Sequence, residues 1–157
     1  YTEVPRDVLA TASRPGGAWG NSSEEERNRR SVYIFVKRSL HEPFLSAFDW
    51  ADTDNTCDVR FVTTVPTQTL TLMNSKFLND SAETLAKHVA EVAPGDATAQ
   101  IRHALHKATH RKPTDEEVQD GLDLIKELKE KTEASQEDAM QRFCLLVLNL
   151  NEFLYLD

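Results

Sequence analysis

The chain has 157 residues and a mass of 17.8 kDa, with 18 basic and 26 acidic side chains, a net charge of −8, 39% hydrophobic and 8% aromatic residues, and two cysteines. A chain of this length buries about two-thirds of its unfolded surface, enough to sustain one core without metal or disulfide staples. The longest apolar run, Phe143 to Leu148, is far too short for a hydrocarbon layer of about 30 Å, and a pI near 5.1 lacks the dominant basic surface of a general nucleic-acid binder.

The chain begins at Tyr1 with neither a charged n-region nor an apolar h-region, and it reads as a fragment of something longer. Residues 1–28 carry Pro5, Pro15, Gly16, Gly17 and Gly20 where a helix would need continuity, and are expected as an irregular arm anchored by Trp19. Residues 29–65 form an Arg-rich, extended or irregular part. Within it, Val32, Ile34 and Val36 alternate with Tyr33, Phe35 and Lys37, which favours a strand from Ser31 to Arg38. A second extended segment, Arg60 to Val65, is held out of helix at its end by Pro66, and the two could pair as a small antiparallel ribbon. Between them, Phe44, Leu45 and Phe48 have near-helical spacing.

From 66 to 157 the period is helical. Leu70, Met73, Phe77, Leu78, Leu85, Val89 and Val92 form an apolar stripe, with an interruption expected at Asn74-Ser75. Pro94-Gly95-Asp96 stops this stretch and starts a helix that buries Ile101, Ala104, Leu105 and Ala108. Thr114 to Glu117 reads as a capping box opening a helix with Val118, Leu122, Ile125 and Leu128 on its buried stripe. The last helix begins near Ser135 and is apolar on nearly all sides from Phe143 to Leu150, which marks it as central, with Phe153 and Tyr155 buried at its end. The fold class expected is mainly α: a helical bundle of about five helices with an irregular arm, in one domain spanning 1–157.

The chemistry-bearing constellations are weak. His103, His106 and His110 share a helical face, but that face points away from Ile101 and carries Lys107, so no metal is expected there. Asp52, Asp54, Thr56 and Asp58 alternate as in a calcium loop, yet Cys57 and Thr63 occupy the glycine and glutamate positions that such a loop requires. Cys57 and Cys144 show no C-x-x-C or haem-attachment spacing, and either two thiols or a bridge is compatible with them. Hydrolysis by paired carboxylates could in principle use Asp49 with Glu152, but nothing in the sequence brings them together. Asn149 and Asn151 are expected to satisfy backbone groups near the chain's end. Arg27, Arg29, Arg30, Lys37, Arg38 and Arg60 make the first part locally cationic, suited either to internal ion pairs or to oxyanions.

Several of these segments together carry a resemblance: Arg29-Arg30-Ser31-Val32-Tyr33-Ile34-Phe35-Val36-Lys37-Arg38; Pro43 with Phe48-Asp49; Cys57 with Arg60; Thr63-Thr64-Val65-Pro66-Thr67-Gln68 leading to Leu72-Met73-Asn74; Arg111-Lys112-Pro113-Thr114 with Glu117; and Leu148-Asn149-Leu150-Asn151-Glu152-Phe153-Leu154-Tyr155. In these the sequence resembles the planctomycete-type domain of unknown function 1553, over about residues 15 to 157, with His110 where a glycine is usual. The resemblance implies the C-terminal piece of a longer exported protein, often joined to a cytochrome-c-like module, commonly encoded near sulfatases and lacking here the N-terminal part of the family domain. It transfers no activity, cofactor or catalytic residue.

The resulting expectation is an interaction or support domain of an extracytoplasmic, redox-linked multidomain protein, with the other domains of that protein as partners. The alternative is a catalytic or ligand-binding domain for sulfated polysaccharide, whose binding surface would comprise Arg30, Tyr33, Arg38, Asp49 and Arg60. A third reading has these residues pairing internally. Arg60 in particular is expected to be buried against the Asp49 to Asp58 loop.

Overall fold

The structure, a computed structural model, describes all residues except 3, 5, 11–18, 39, 52, 54, 57, 60–62, 156 and 157, and the side chain of Asp7. Its contacts divide the chain into two compact units, Tyr1–Gln68 and Thr69–Asp157. The described residues are mainly helical, in keeping with the fold class expected.

The first unit holds short helices. The segment expected as an irregular arm contains α1 (Arg6–Ala10) and α2 (Glu24–Arg27). The second exists because Ser23 and Glu26 form a reciprocal capping box, which satisfies two backbone N–H groups that a one-turn helix would leave bare. Trp19 is the anchor it was expected to be. Its ring lies edge-on to Tyr1 and Phe35 at centroid distances of 5.7 and 5.9 Å, and its indole N–H donates to the Thr2 carbonyl at 2.8 Å.

Residues 31–38 do not form the expected strand. Ser31–Tyr33 is a 3₁₀ turn, and among the described residues the segment beyond it forms an isolated β-bridge between Lys37 and Leu40. The alternation misled because a strand needs a partner and a buried face, whereas Val32, Tyr33, Phe35 and Val36 are all exposed. Among the described residues no ribbon is present, and Arg60 to Val62 lie outside them. The spacing of Phe44, Leu45 and Phe48 does give a helix, α3 (Pro43–Ala47), with Pro43 at its first turn and the Glu42 side chain capping Leu45 N–H at 2.7 Å.

The helical stretch after Val65 breaks where the sequence indicated, into α4 (Pro66–Asn74) and α5 (Lys76–Val92), with Ser75 as N-cap of the second. The buried positions on the two helices differ from the predicted stripe. Leu72 on α4 and Leu78, Ala82 and Val89 on α5 are buried, while Leu70, Met73, Phe77 and Val92 face outward. Next come α6 (Ala97–Thr109), capped by Asp96, α7 (Asp115–Thr132), capped by Thr114, α8 (Gln136–Val147), capped by Ser135, and the single turn α9 (Asn151–Leu154).

One core joins α5 to α8. It comprises Ala82, Val89, Ile101, Ala104, Leu105, Val118, Ile125, Ala139, Met140, Phe143, Cys144 and Val147. Helix α8 packs against α5, α7 and α6 and is the central helix, as its apolar sequence indicated. It is not enclosed on every side: Leu146 is 45% exposed, and in α9 Phe153 is 44% exposed, so the tail is not the buried element expected. The α6–α7–α8 crossing is close at Gly121, where a Cβ would stand 2.9 Å from both Ile101 Cγ2 and Phe143 Cε2.

Candidate functional site

Of the five residues proposed as a binding surface, Arg30, Tyr33 and Arg38 lie exposed within nine residues of the first unit. The neighbouring Arg29 guanidinium covers the Tyr33 ring at 4.9 Å, a cation–π contact, and Arg29 is exposed as Arg30 and Arg38 are. Arg60 lies outside the described residues, and so do Asp52, Asp54 and Cys57 of the Asp-rich loop.

Asp49 has a different role. It sits just after α3 at φ 57°, a left-handed conformation that Asp tolerates better than most residues. Its carboxylate accepts from Thr63 N–H at 2.6 Å and from Thr63 Oγ1–H at 2.9 Å. The Thr63 carbonyl accepts in turn from Gln68 Nε2 at 3.0 Å, and Gln68 Oε1 accepts from Val65 N–H at 3.2 Å. Gln68 is only 2% exposed, so its amide supplies hydrogen bonds to backbone that water does not reach. Asp49 is therefore a strap across the loop, not a free carboxylate. Sequence reasoning missed Thr63 and Gln68, although glutamine three residues past the residue before a helix-opening proline is the acceptor half of a capping box.

Beside this strap, Leu40, His41, Glu42, Leu45 and Trp50 line a hollow with room for about one water molecule. Burial pushes the Glu42 carboxyl above its ordinary pKa, with the Leu45 and Phe44 backbone N–H groups opposing. His41 Nε2 lies 3.0 Å from Thr53 Oγ1.

In the second unit, two sequence motifs meet that are 41 residues apart. The Arg111 guanidinium donates to Glu117 through Nη1 at 2.9 Å and Nη2 at 2.5 Å, and to Glu152 of α9 through Nε at 3.0 Å and Nη2 at 3.1 Å. Glu117 also accepts from Thr114 N–H at 2.7 Å, completing the predicted capping box. Arg111 first, then the Thr114 N–H, holds the Glu117 carboxyl down at about 2, while the two carboxylates raise the Arg111 pKa. Asn149 Nδ2 donates to the Leu145 carbonyl at 2.7 Å, the backbone-satisfying role expected of it. Glu152 is thus spent on a clamp that fastens α9 to the start of α7, and its chemistry is positional.

The three α6 histidines do not share one solvent face. His106 and His110 are exposed, but His110 has left the helix and caps it at φ 56°, and His106 Nδ1 lies 2.9 Å from the Arg111 carbonyl. His103 is half-buried against His88 of α5, with the ring centroids 5.4 Å apart. Burial first, then His88, Lys107 and His106, lowers the His103 pKa. Among the described residues no group of three or more His, Cys, Asp or Glu side chains is placed to hold a metal ion. Cys144 is a free thiol in the core, pushed up to about 12 by burial, and is chemically inert there. No helix of the described residues is long and apolar enough to cross a membrane.

These features define a helical domain whose polar networks serve local architecture. The family model described as a protein of unknown function (DUF1553) matches residues 4–125, and the chain belongs to that family. The match takes in the Arg29–Arg38, Pro43–Asn74 and Arg111–Glu117 motifs; the closing Leu148–Tyr155 motif lies beyond it. No curated protein and no solved structure matches the chain.

Proposed function

We propose that the chain is an interaction or support domain of a larger, extracytoplasmic, redox-linked protein, and that it binds other domains of that protein through the 32–38 segment. The observation that carries this reading is the exposure there of Val32 at 74%, Tyr33 at 66% and Val36 at 48%, flanked by Arg29, Arg30 and Arg38. Contiguous apolar side chains are rarely left in water without a partner, and aromatic residues with arginine are the types enriched at interface centres. The engagement of Asp49, Glu117 and Glu152 in structural networks supports an architectural role.

Calorimetric titration of this chain with the remaining domains of the parent protein, produced separately, tests it. Binding is expected, with Tyr33→Ala weakening it by about tenfold or more. No binding, or binding indifferent to Tyr33 and Val36, contradicts the reading.

A second reading rests on Arg30 and Arg38 standing exposed beside Tyr33: a docking strip for sulfated polysaccharide. Retention on a sulfated glycan that falls with salt, and is lost in Arg30→Ala with Arg38→Ala, would favour it. The hollow lined by Leu40 and Trp50 is too small for a sugar ring, so such binding would be to the surface.

A further inference from the structure

The pairing of His88 with His103 has no equivalent in the single-helix pattern from which the sequence excluded a metal, because His88 belongs to α5 and His103 to α6. Their Nε2 atoms approach to 3.4 Å, with the rings inclined at 46°. That separation is long for a hydrogen bond between nitrogens. It is, however, the spacing of two ligand atoms on one tetrahedral ion: with Zn–N bonds of about 2.0 to 2.1 Å, two tetrahedral positions lie about 3.3 to 3.4 Å apart. Adjacent positions at right angles, as in a square-planar or octahedral site, would bring the nitrogens to about 2.9 Å. The supports are firm, because α5 and α6 are fixed by Val89, Ile101, Ala104 and Leu105 of the common core.

We propose that His88 and His103 form a surface site for one zinc ion, each contributing Nε2, with water completing the coordination. Both imidazoles must be neutral to bind. The present occupant of the His88 lone pair is the Lys107 ammonium, with Nζ 3.2 Å from Nε2. Lys107 is exposed and unbranched, so it can swing into water; zinc binding is a competition with it. This makes the site exchangeable and gives a signature that a merely structural histidine pair would lack: removing the lysine strengthens binding.

Zinc chloride titrated calorimetrically into the full chain at about pH 7.5, where neutral imidazole dominates, tests the site. One ion per chain is expected. His88→Ala and His103→Ala should each weaken binding by about tenfold or more. Lys107→Gln should tighten it, while His106→Ala and His110→Ala leave it unchanged. Circular dichroism checks the fold of each variant, and His103→Gln, which keeps a polar side chain without an imidazole, replaces His103→Ala if that variant unfolds. Four results would overturn the assignment: no binding at millimolar zinc; binding indifferent to both His88 and His103; loss of binding in His106→Ala; or one ion shared between two chains.

Discussion

Gly121 shows how a single hydrogen can set a helix crossing. A methyl there would stand 2.9 Å from side-chain atoms of Ile101 and Phe143, which are 0% and 2% exposed and have nowhere to go. Alanine gains roughly 1 kcal/mol of helix propensity over glycine, but overpacking a core costs about 1 to 3 kcal/mol. Gly121→Ala is therefore expected to lower the midpoint of urea unfolding. His110 illustrates the opposite error in a natural sequence. It ends α6 in the left-handed region, where a side chain costs about 1 to 2 kcal/mol and glycine does not, so His110→Gly is expected to stabilise the chain by about 1 kcal/mol, read by the same denaturation curve. The strain at His110 is foreshadowed by the glycine usual at that position, whereas the role of Gly121 is not legible in the sequence. Gly121 sits inside an unbroken helical pattern, with Val118 and Ile125 signalling the buried face, but the nearness of Phe143 is a contact between helices that periodicity does not encode.

At the scale of elements, the cap of α7 was readable and its distant partner was not. Thr114 and Glu117 lie three residues apart, so the capping box follows from local geometry; Arg111 and Glu152 are joined only when α9 folds back on the end of α6. The clamp has a pH signature. Glu117 in the folded chain titrates near 2 against an ordinary 4.5, so its contribution is complete above the ordinary value and is lost as the pH falls through about 2. Because the groups are largely solvated, the effect should be modest and should shrink with added salt. Arg111→Gln is expected to lower the melting temperature more at low ionic strength than at high, and to flatten the acid limb of the stability profile. A melting temperature indifferent to salt and to this substitution would mean that α9 is held by packing alone. His103 acts at higher pH in the same direction: its folded pKa lies below 6.5, so the unfolded chain takes up protons first and stability declines as the pH drops below that value.

The α4–α5 stretch shows where a long apolar pattern fails. A continuous stripe from Leu70 to Val92 assumes one phase, but Ser75 caps a new helix that buries Leu78, Ala82 and Val89 and leaves Phe77 at 60% exposure, while Leu70, on the helix before it, is 58% exposed. The interruption itself was visible in Asn74-Ser75; the angle it introduces was not. Likewise the alternation from Val32 to Val36 was a correct reading of residue types and a wrong reading of structure, because β propensity is realised only where another strand is available. The exposure of those side chains is also what makes the segment a candidate contact surface.

For the whole molecule, the distribution of core residues makes a definite demand. Every member of the α5–α8 core falls between Ala82 and Val147, and α5 carries its own N-cap at Ser75. Residues 75–157 are accordingly expected to fold alone into a helical bundle with a cooperative thermal transition by circular dichroism. Phe153→Ala in that segment should be tolerated, since Phe153 is partly exposed. The mainly α class and the central place of α8 were legible because they depend on apolar periodicity over many residues. The exposure of Val32, Tyr33 and Val36 was not, because it depends on contacts between segments that periodicity does not encode.

Hydrogen exchange read by mass spectrometry, comparing the isolated chain with the same residues inside the larger parent protein proposed above, addresses the interaction-domain reading most directly. Backbone amides at 31–38 should exchange rapidly in the isolated chain and become protected in the parent protein, while the α5 to α8 core is protected in both. Exchange at 31–38 that is equally fast in both would contradict that role for the segment.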